Sequence, residues 1–142
     1  MIRVFEQQDM DKVVSIWLDA SLIAHDFIPA TYWHEKAADM REVYLPESDT
    51  FVYENEQRQL QGFLSLVDNY IAAVFVTPDA QGQGIGQTLM QYAKAKYPTL
   101  SLGVYSRNSR SVAFYLRQGF VVKGEQTEPN TGEMETIMEF IP

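Results

Sequence analysis

Apolar positions along the chain keep two rhythms, one with the period of a strand and one with the period of a helix. "IRVFE", Ile2 to Glu6, reads as a first strand. After Asp9, a candidate N-cap, apolar residues at Val13, Ile16, Trp17 and Ala20 keep helical spacing. Pro29 stops that pattern, and Thr31 is a candidate cap for a second helix through about Tyr44, ended by Pro46. "TFVYEN" and "LQGFLSLVDN" read as two strands joined by a polar turn near Glu56 to Gln59, with a further turn at Asp68-Asn69. "YIAAVFV", Tyr70 to Val76, is a near-continuous apolar run, the pattern of a central strand covered on both faces.

A helix from about Gly84 to Lys96 follows, with Ile85, Leu89 and Tyr92/Ala93 on one side and Pro98 as its stop. "TLSLGVYS" is a further strand. "SRSVAFYLRQ" is a short helix with Gly119 as its left-handed cap. "FVVKGE" is another strand. "EMETIMEF" alternates, with Met134, Thr136, Met138 and Phe140 on one face against Glu133, Glu135 and Glu139. The order is βααβββαβαββ. Antiparallel runs flank a βαβ unit, which predicts an α+β, mixed-sheet fold. No repeat or linker divides the 142 residues, of which 46% are hydrophobic, so one domain over residues 1–142 is expected.

Composition narrows the chemistry. The absence of cysteine excludes disulfides, thiolate metal sites and a cysteine nucleophile, and suits the cytoplasm. The first residues show no signal-peptide pattern, and no run reaches the ~18 apolar residues of a membrane span. A net charge of −8 disfavours nucleic acid and anionic membranes and favours a cationic partner such as an amine. His25 and His34 are the only histidines, and no spacing sets two ligands and a carboxylate on one face, so no metal is expected.

"QGQGIGQTLM", Gln81 to Met90, places Gly82, Gly84 and Gly86 where a helix begins. A helix start leaves backbone N–H groups without partners at the positive end of the macrodipole, and glycine lets a phosphate approach them. A plain tight turn is the alternative. A Walker A loop needs Gly-Lys-Ser/Thr, and Gly86 is followed by Gln87 and Thr88. The dinucleotide fingerprint places its third glycine differently and follows the first strand of its unit, whereas this loop follows roughly the fourth.

"VFVTPDAQGQGIG" followed by "NSRSVAFYLRQGF" resembles the GNAT superfamily of N-acetyltransferases, in particular its small stand-alone bacterial members. Gln81-Gly82-Gln83-Gly84-Ile85-Gly86 matches the family's Q/R-x-x-G-x-G/A loop. Asn108 with Ala113, Phe114, Tyr115, Gly119 and Phe120 matches its second signature. The resemblance covers nearly the whole chain. It implies a mixed, mostly antiparallel sheet of seven strands with four helices, splayed between the fourth and fifth strands. It implies acetyl-coenzyme A as donor, with the pyrophosphate on the loop Gln81 to Gly86, Gln87 also at the cofactor, and the pantetheine arm on the backbone of Val74, Phe75 and Val76. It further implies Asn108 on the cofactor arm and Tyr115 as the general acid that protonates the leaving thiolate. Asn108 can be an N-cap at the same time, and the alternative for Tyr115 is a core aromatic flanked by Phe114 and Leu116.

The expected activity is acetyl transfer to a primary amine of a small molecule, peptide or protein lysine. The alternative is a non-catalytic acyl-coenzyme A sensor or interaction module. A lysine amine is uncharged in only about one molecule in 2,500 at neutral pH, so a proton acceptor is useful. Asp68, Glu54 and Glu125 are candidates by location alone. His25, Asp26, Phe27, Tyr32 and Trp33 are expected to line the acceptor pocket, with His25 able to take a proton near neutrality and Asp26 or a nearby glutamate holding the cation. The alternative is that Phe27 and Trp33 plug the sheet and His25 bonds within the loop. A monomer or a homodimer paired through the exposed final strand is expected.

Overall fold

The computed structural model describes residues 1–142. Its elements are β1 (Ile2–Val4), α1 (Met10–Ala24), α2 (Ala30–Asp39), β2 (Asp49–Glu54), β3 (Leu60–Val67), β4 (Tyr70–Val76), α3 (Ile85–Lys96), β5 (Leu100–Tyr105), α4 (Ser109–Arg117), β6 (Val121–Thr127) and β7 (Met134–Phe140). This is the expected βααβββαβαββ order. The strands form one seven-stranded sheet in the order β1-β2-β3-β4-β5-β7-β6, so the final strand is not the exposed pairing edge expected of it: β5 and β6 satisfy both its sides, and the edges are β1 and β6. Every neighbouring pair is antiparallel except β4–β5.

Strand alternation distributes the core over both faces of the sheet. Leu64, Leu66, Leu102 and Met138 meet α3 through Ile85, Leu89 and Met90, and α4 through Tyr115. Val52 and Phe63 meet α1 and α2 through Val13, Ile16, Trp17 and Trp33. No helix is long and apolar enough to cross a membrane.

The splay has a visible cause. β3 pairs with β4 along its length, but the register slips so that Ser65 faces Ala73 and Leu66 faces Ile71. Ala72 is therefore an extra residue on β4, a bulge of the kind that bends its strand. On the other side β4 pairs with β5 only at Tyr70↔Ser101, and the two strands part from there. The apolar run is accordingly not covered on both faces: Ile71 is buried, whereas Val74, Phe75 and Val76 are half-buried because the sheet opens beside them.

Two caps differ from expectation. Asp9 sits ahead of α1, but its carboxylate accepts from Arg3 at 2.8 and 2.9 Å and from the Glu6 N–H at 2.8 Å, not from the helix's first turn. A charge-assisted bidentate pair outcompetes a neutral cap bond. α2 begins at Ala30 behind Pro29, with no side-chain cap from Thr31; the proline ring presets the entry angle.

Candidate active site

β4 ends at Val76, and the chain turns through Pro78–Ala80 into the glycine loop. Gln81 spends its side chain on the loop itself: its Nε2 donates to the Val76 carbonyl at 3.1 Å, tethering the loop to the strand end. Gly82 and Gly84 have φ of +82° and +84°, and a Cβ built on either meets nothing within 4 Å. They are required by the left-handed backbone conformation, not by packing. α3 starts one residue later than expected, at Ile85, because Gly84 is left-handed. The N–H groups of Gly82 through Gln87 have no partner within the chain, and no acidic side chain occupies the first turn. The Ile85 side chain is core; Gln83 and Gln87 are exposed. A Cβ built on Gly86 would lie 3.4 Å from the Phe114 ring, so α4 abuts the start of α3 here.

Asn108 caps α4: its Oδ1 accepts from the Ser111 N–H at 3.2 Å. Its Nδ2 lies 3.2 Å from Nε2 of His25. Tyr115 is buried among aromatic neighbours, with Phe114 at 5.3 Å and Phe120 at 5.8 Å between ring centroids. Burial pushes its phenol pKa well above the ordinary range, so the group stays protonated and suits a proton donor rather than a base.

The predicted acceptor segment divides in two. Phe27 and Tyr32 line an open cavity of about 300 Å³ between the α1–α2 connection and the β6–β7 turn. His25 and Trp33 lie behind that wall, buried, with their rings stacked at 5.1 Å. Asp26 is exposed and is not among the lining residues. His25 does not keep the near-neutral pKa expected of it: burial lowers it to about 4.

The cavity carboxylates come from elsewhere. Glu35 sits on α2, and Glu133 and Thr131 come from the β6–β7 turn. Sequence pattern could not bring Glu35 and Glu133 together because periodicity reports a residue's face, not its partner, and about a hundred residues separate the two walls. Arg107 joins the walls, with its guanidinium 4.8 Å over the Phe27 ring and 3.3 Å from Glu133. Among the candidate bases, Glu54 is paired with Arg3 at 3.1 Å, while Asp68 and Glu125 are exposed.

Residues 46–122 match the model of the acetyltransferase (GNAT) domain. The chain is 37% identical over 121 residues to the peptidyl-lysine N-acetyltransferase YiaC of Escherichia coli strain K12, covering 84% of this chain and 82% of that one. The solution structure of apo YjaB from Escherichia coli superposes with a TM-score of 0.88 at 29% identity, covering 99% of this chain and 97% of the other. The PaiA N-acetyltransferase of Thermoplasma acidophilum, solved in complex with coenzyme A, shares the fold with a TM-score of 0.80 at 19% identity, covering 100% and 98%. With a sheet that parts after Tyr70, a bared glycine turn at the start of α3 and these relatives, the chain belongs to the GNAT family of N-acetyltransferases.

Proposed function

We propose that the protein transfers the acetyl group of acetyl-coenzyme A to the ε-amine of lysine in proteins or peptides. One observation carries this reading: the N–H groups of Gly82 through Gln87 stand without partners beside a strand whose outer edge is unpaired. Those amides, with the dipole of α3 behind them, suit a diphosphate. The outer edge of Val74, Phe75 and Val76 suits an amide-bearing arm that pairs like an added strand. A backbone N–H of this strand is also a donor for the acyl oxygen. Asn108 has an Nδ2 hydrogen to spare for the same arm. Acetyl-coenzyme A supplies the activated acyl group and a thiol leaving group. Tyr115 donates its hydroxyl proton to the departing sulfur and regains one from solvent, which takes up the proton the attacking amine releases; burial among Phe114 and Phe120 keeps the phenol protonated until the thiolate forms.

On the acceptor side, Phe27 and Tyr32 line the cavity, Glu35 adds a carboxylate, and Glu133 adds a second that Arg107 already pairs, a set that suits an alkylammonium group. The net charge of −8 draws in basic peptides. Lysine as acceptor is supported by the relative named as a peptidyl-lysine N-acetyltransferase. The lack of cysteine supports work in the cytoplasm.

The test is a thiol-release assay over lysine peptides, polyamines and small amines, run with wild type and Tyr115→Phe. Lysine peptides should drive thiol release. The variant should lose about a hundredfold in kcat, with acetyl-coenzyme A affinity unchanged. Wild-type turnover by the variant would remove Tyr115 from the chemistry. Donor binding with no acceptor-dependent release across the panel would instead make the protein an acyl-coenzyme A sensor.

A further inference from the structure

We infer that His25 is a positioning residue: it sets the carboxamide of Asn108 from across the sheet and so aims the hydrogen that Asn108 has left for the cofactor arm. The inference rests on the proposed role of Asn108. Its geometry begins at the start of α4. A backbone N–H only donates, so the bond from the Ser111 N–H identifies the atom it reaches as the Asn108 oxygen. The amide nitrogen therefore faces His25, with Nδ2 3.2 Å from Nε2. An NH₂ group only donates, so Nε2 must carry the lone pair and Nδ1 the hydrogen. The N-cap of one helix thus dictates the tautomer of a histidine 83 positions away in sequence.

Neither partner is free to turn. Both residues are 8% exposed. The imidazole stacks on Trp33 at 5.1 Å and meets the edges of Tyr105 at 5.0 Å and Phe27 at 6.0 Å. Its backbone is pinned as the C-cap of α1, with its N–H on the Ser21 carbonyl at 2.9 Å and its own carbonyl accepting from Ile28 at 3.1 Å. Nδ1 is buried with no partner in the chain. A phenylalanine would fill such an aromatic box without leaving an orphaned donor. The histidine accepts that cost and gives Asn108 a fixed acceptor in return. With one Nδ2 hydrogen held by His25, the other points in one direction. Without His25 the carboxamide keeps only its Ser111 bond, and the second hydrogen loses its aim. Burial, which lowers the His25 pKa to about 4, keeps the imidazole an acceptor throughout the neutral range.

The experiment has two arms. In histidine-¹⁵N-labelled wild-type protein between pH 5.5 and 8, His25 should show the Nδ1–H tautomer throughout. By calorimetry, His25→Phe should weaken coenzyme A binding about tenfold, the worth of one well-aimed hydrogen bond. His25→Gln, whose amide oxygen can accept the same bond, should recover most of that loss. In the Asn108→Ala background, His25→Phe should cost less than twofold more. A role confined to packing would leave the two substitutions additive. An Nε2–H tautomer, or an undiminished tenfold loss in the Asn108→Ala background, overturns the inference. Failure of coenzyme A to bind the wild-type chain overturns the cofactor reading instead, and the tautomer spectrum then decides the His25–Asn108 link by itself.

Discussion

Acidification should destabilise this protein through His25 well before carboxylates protonate. In the unfolded chain the imidazole takes up its proton near the ordinary 6.5; in the folded chain only near 4, because the charged form would lose its hydration inside the aromatic box. The contribution is fully present above pH 6.5 and is lost as pH falls through the interval to about 4. At about 1.36 kcal/mol for each pH unit between the two values, the whole interval is worth about 3 kcal/mol, of which about 2 are gone at pH 5. That is a large part of a typical net stability of roughly 5–15 kcal/mol. Tyr105 and the neutral Asn108 face the ring directly; Tyr32 reaches it only through Trp33, and Arg107, paired with Glu133, only through Phe27. Asp9, held below its ordinary 3.8 chiefly by its bond to Arg3, contributes in a lower window. Urea unfolding of wild type and His25→Phe at half-unit steps from pH 7.5 to 4 measures the effect. His25→Phe at pH 7 removes both the orphaned Nδ1 and the Asn108 acceptor, so the two proteins should start close together and separate below pH 6.5. Parallel stability curves down to pH 4 would refute the account of a neutral, desolvated imidazole.

Four further variants probe the frame and the site. Gly84→Ala forces a Cβ onto a φ of +84°, and should cost about 1 kcal/mol in urea unfolding and weaken coenzyme A binding by calorimetry; loss of neither would refute the need for a left-handed residue there. Gly62→Ala puts a Cβ 2.8 Å from the Phe75 carbonyl oxygen, a backbone atom that cannot swing aside, and should cost about 2–3 kcal/mol and lower Tm by several degrees. Gly86→Ala meets the Phe114 ring at 3.4 Å and the Val76 side chain at 3.8 Å, ordinary van der Waals contacts, and should leave Tm nearly unchanged, which makes it the control. Glu35→Gln combined with Glu133→Gln should raise KM for lysine peptides about tenfold while acetyl-coenzyme A affinity holds; an unchanged KM at low salt would place the acceptor elsewhere.

Much of the molecule is legible in its sequence, because the signals concerned are local. Alternation in Met134 to Phe140 and helical spacing from Val13 to Ala20 reflect burial on one face of one element, so they specify strand and helix without knowledge of partners. The glycine loop is readable for a similar reason: positive φ at Gly82 and Gly84 is a requirement on single residues. What pattern could not supply depends on two segments meeting. The bulge at Ala72 and the parting of β4 from β5 arise from pairing with β3, and nothing in "YIAAVFV" marks them. Asp9 looks like a cap until Arg3 reaches it. His25 has the composition of a solvent-facing base. It is made a neutral acceptor only when Trp33 from α2 and Tyr105 and Asn108 from the β5–α4 junction close around it. Glu35 and Glu133 are ordinary surface carboxylates in sequence and share a cavity only once α2 and the β6–β7 turn are set side by side. Periodicity reports which side of an element is dry; desolvation, pairing and charge partnership belong to the space between elements, and the folded chain alone creates that space.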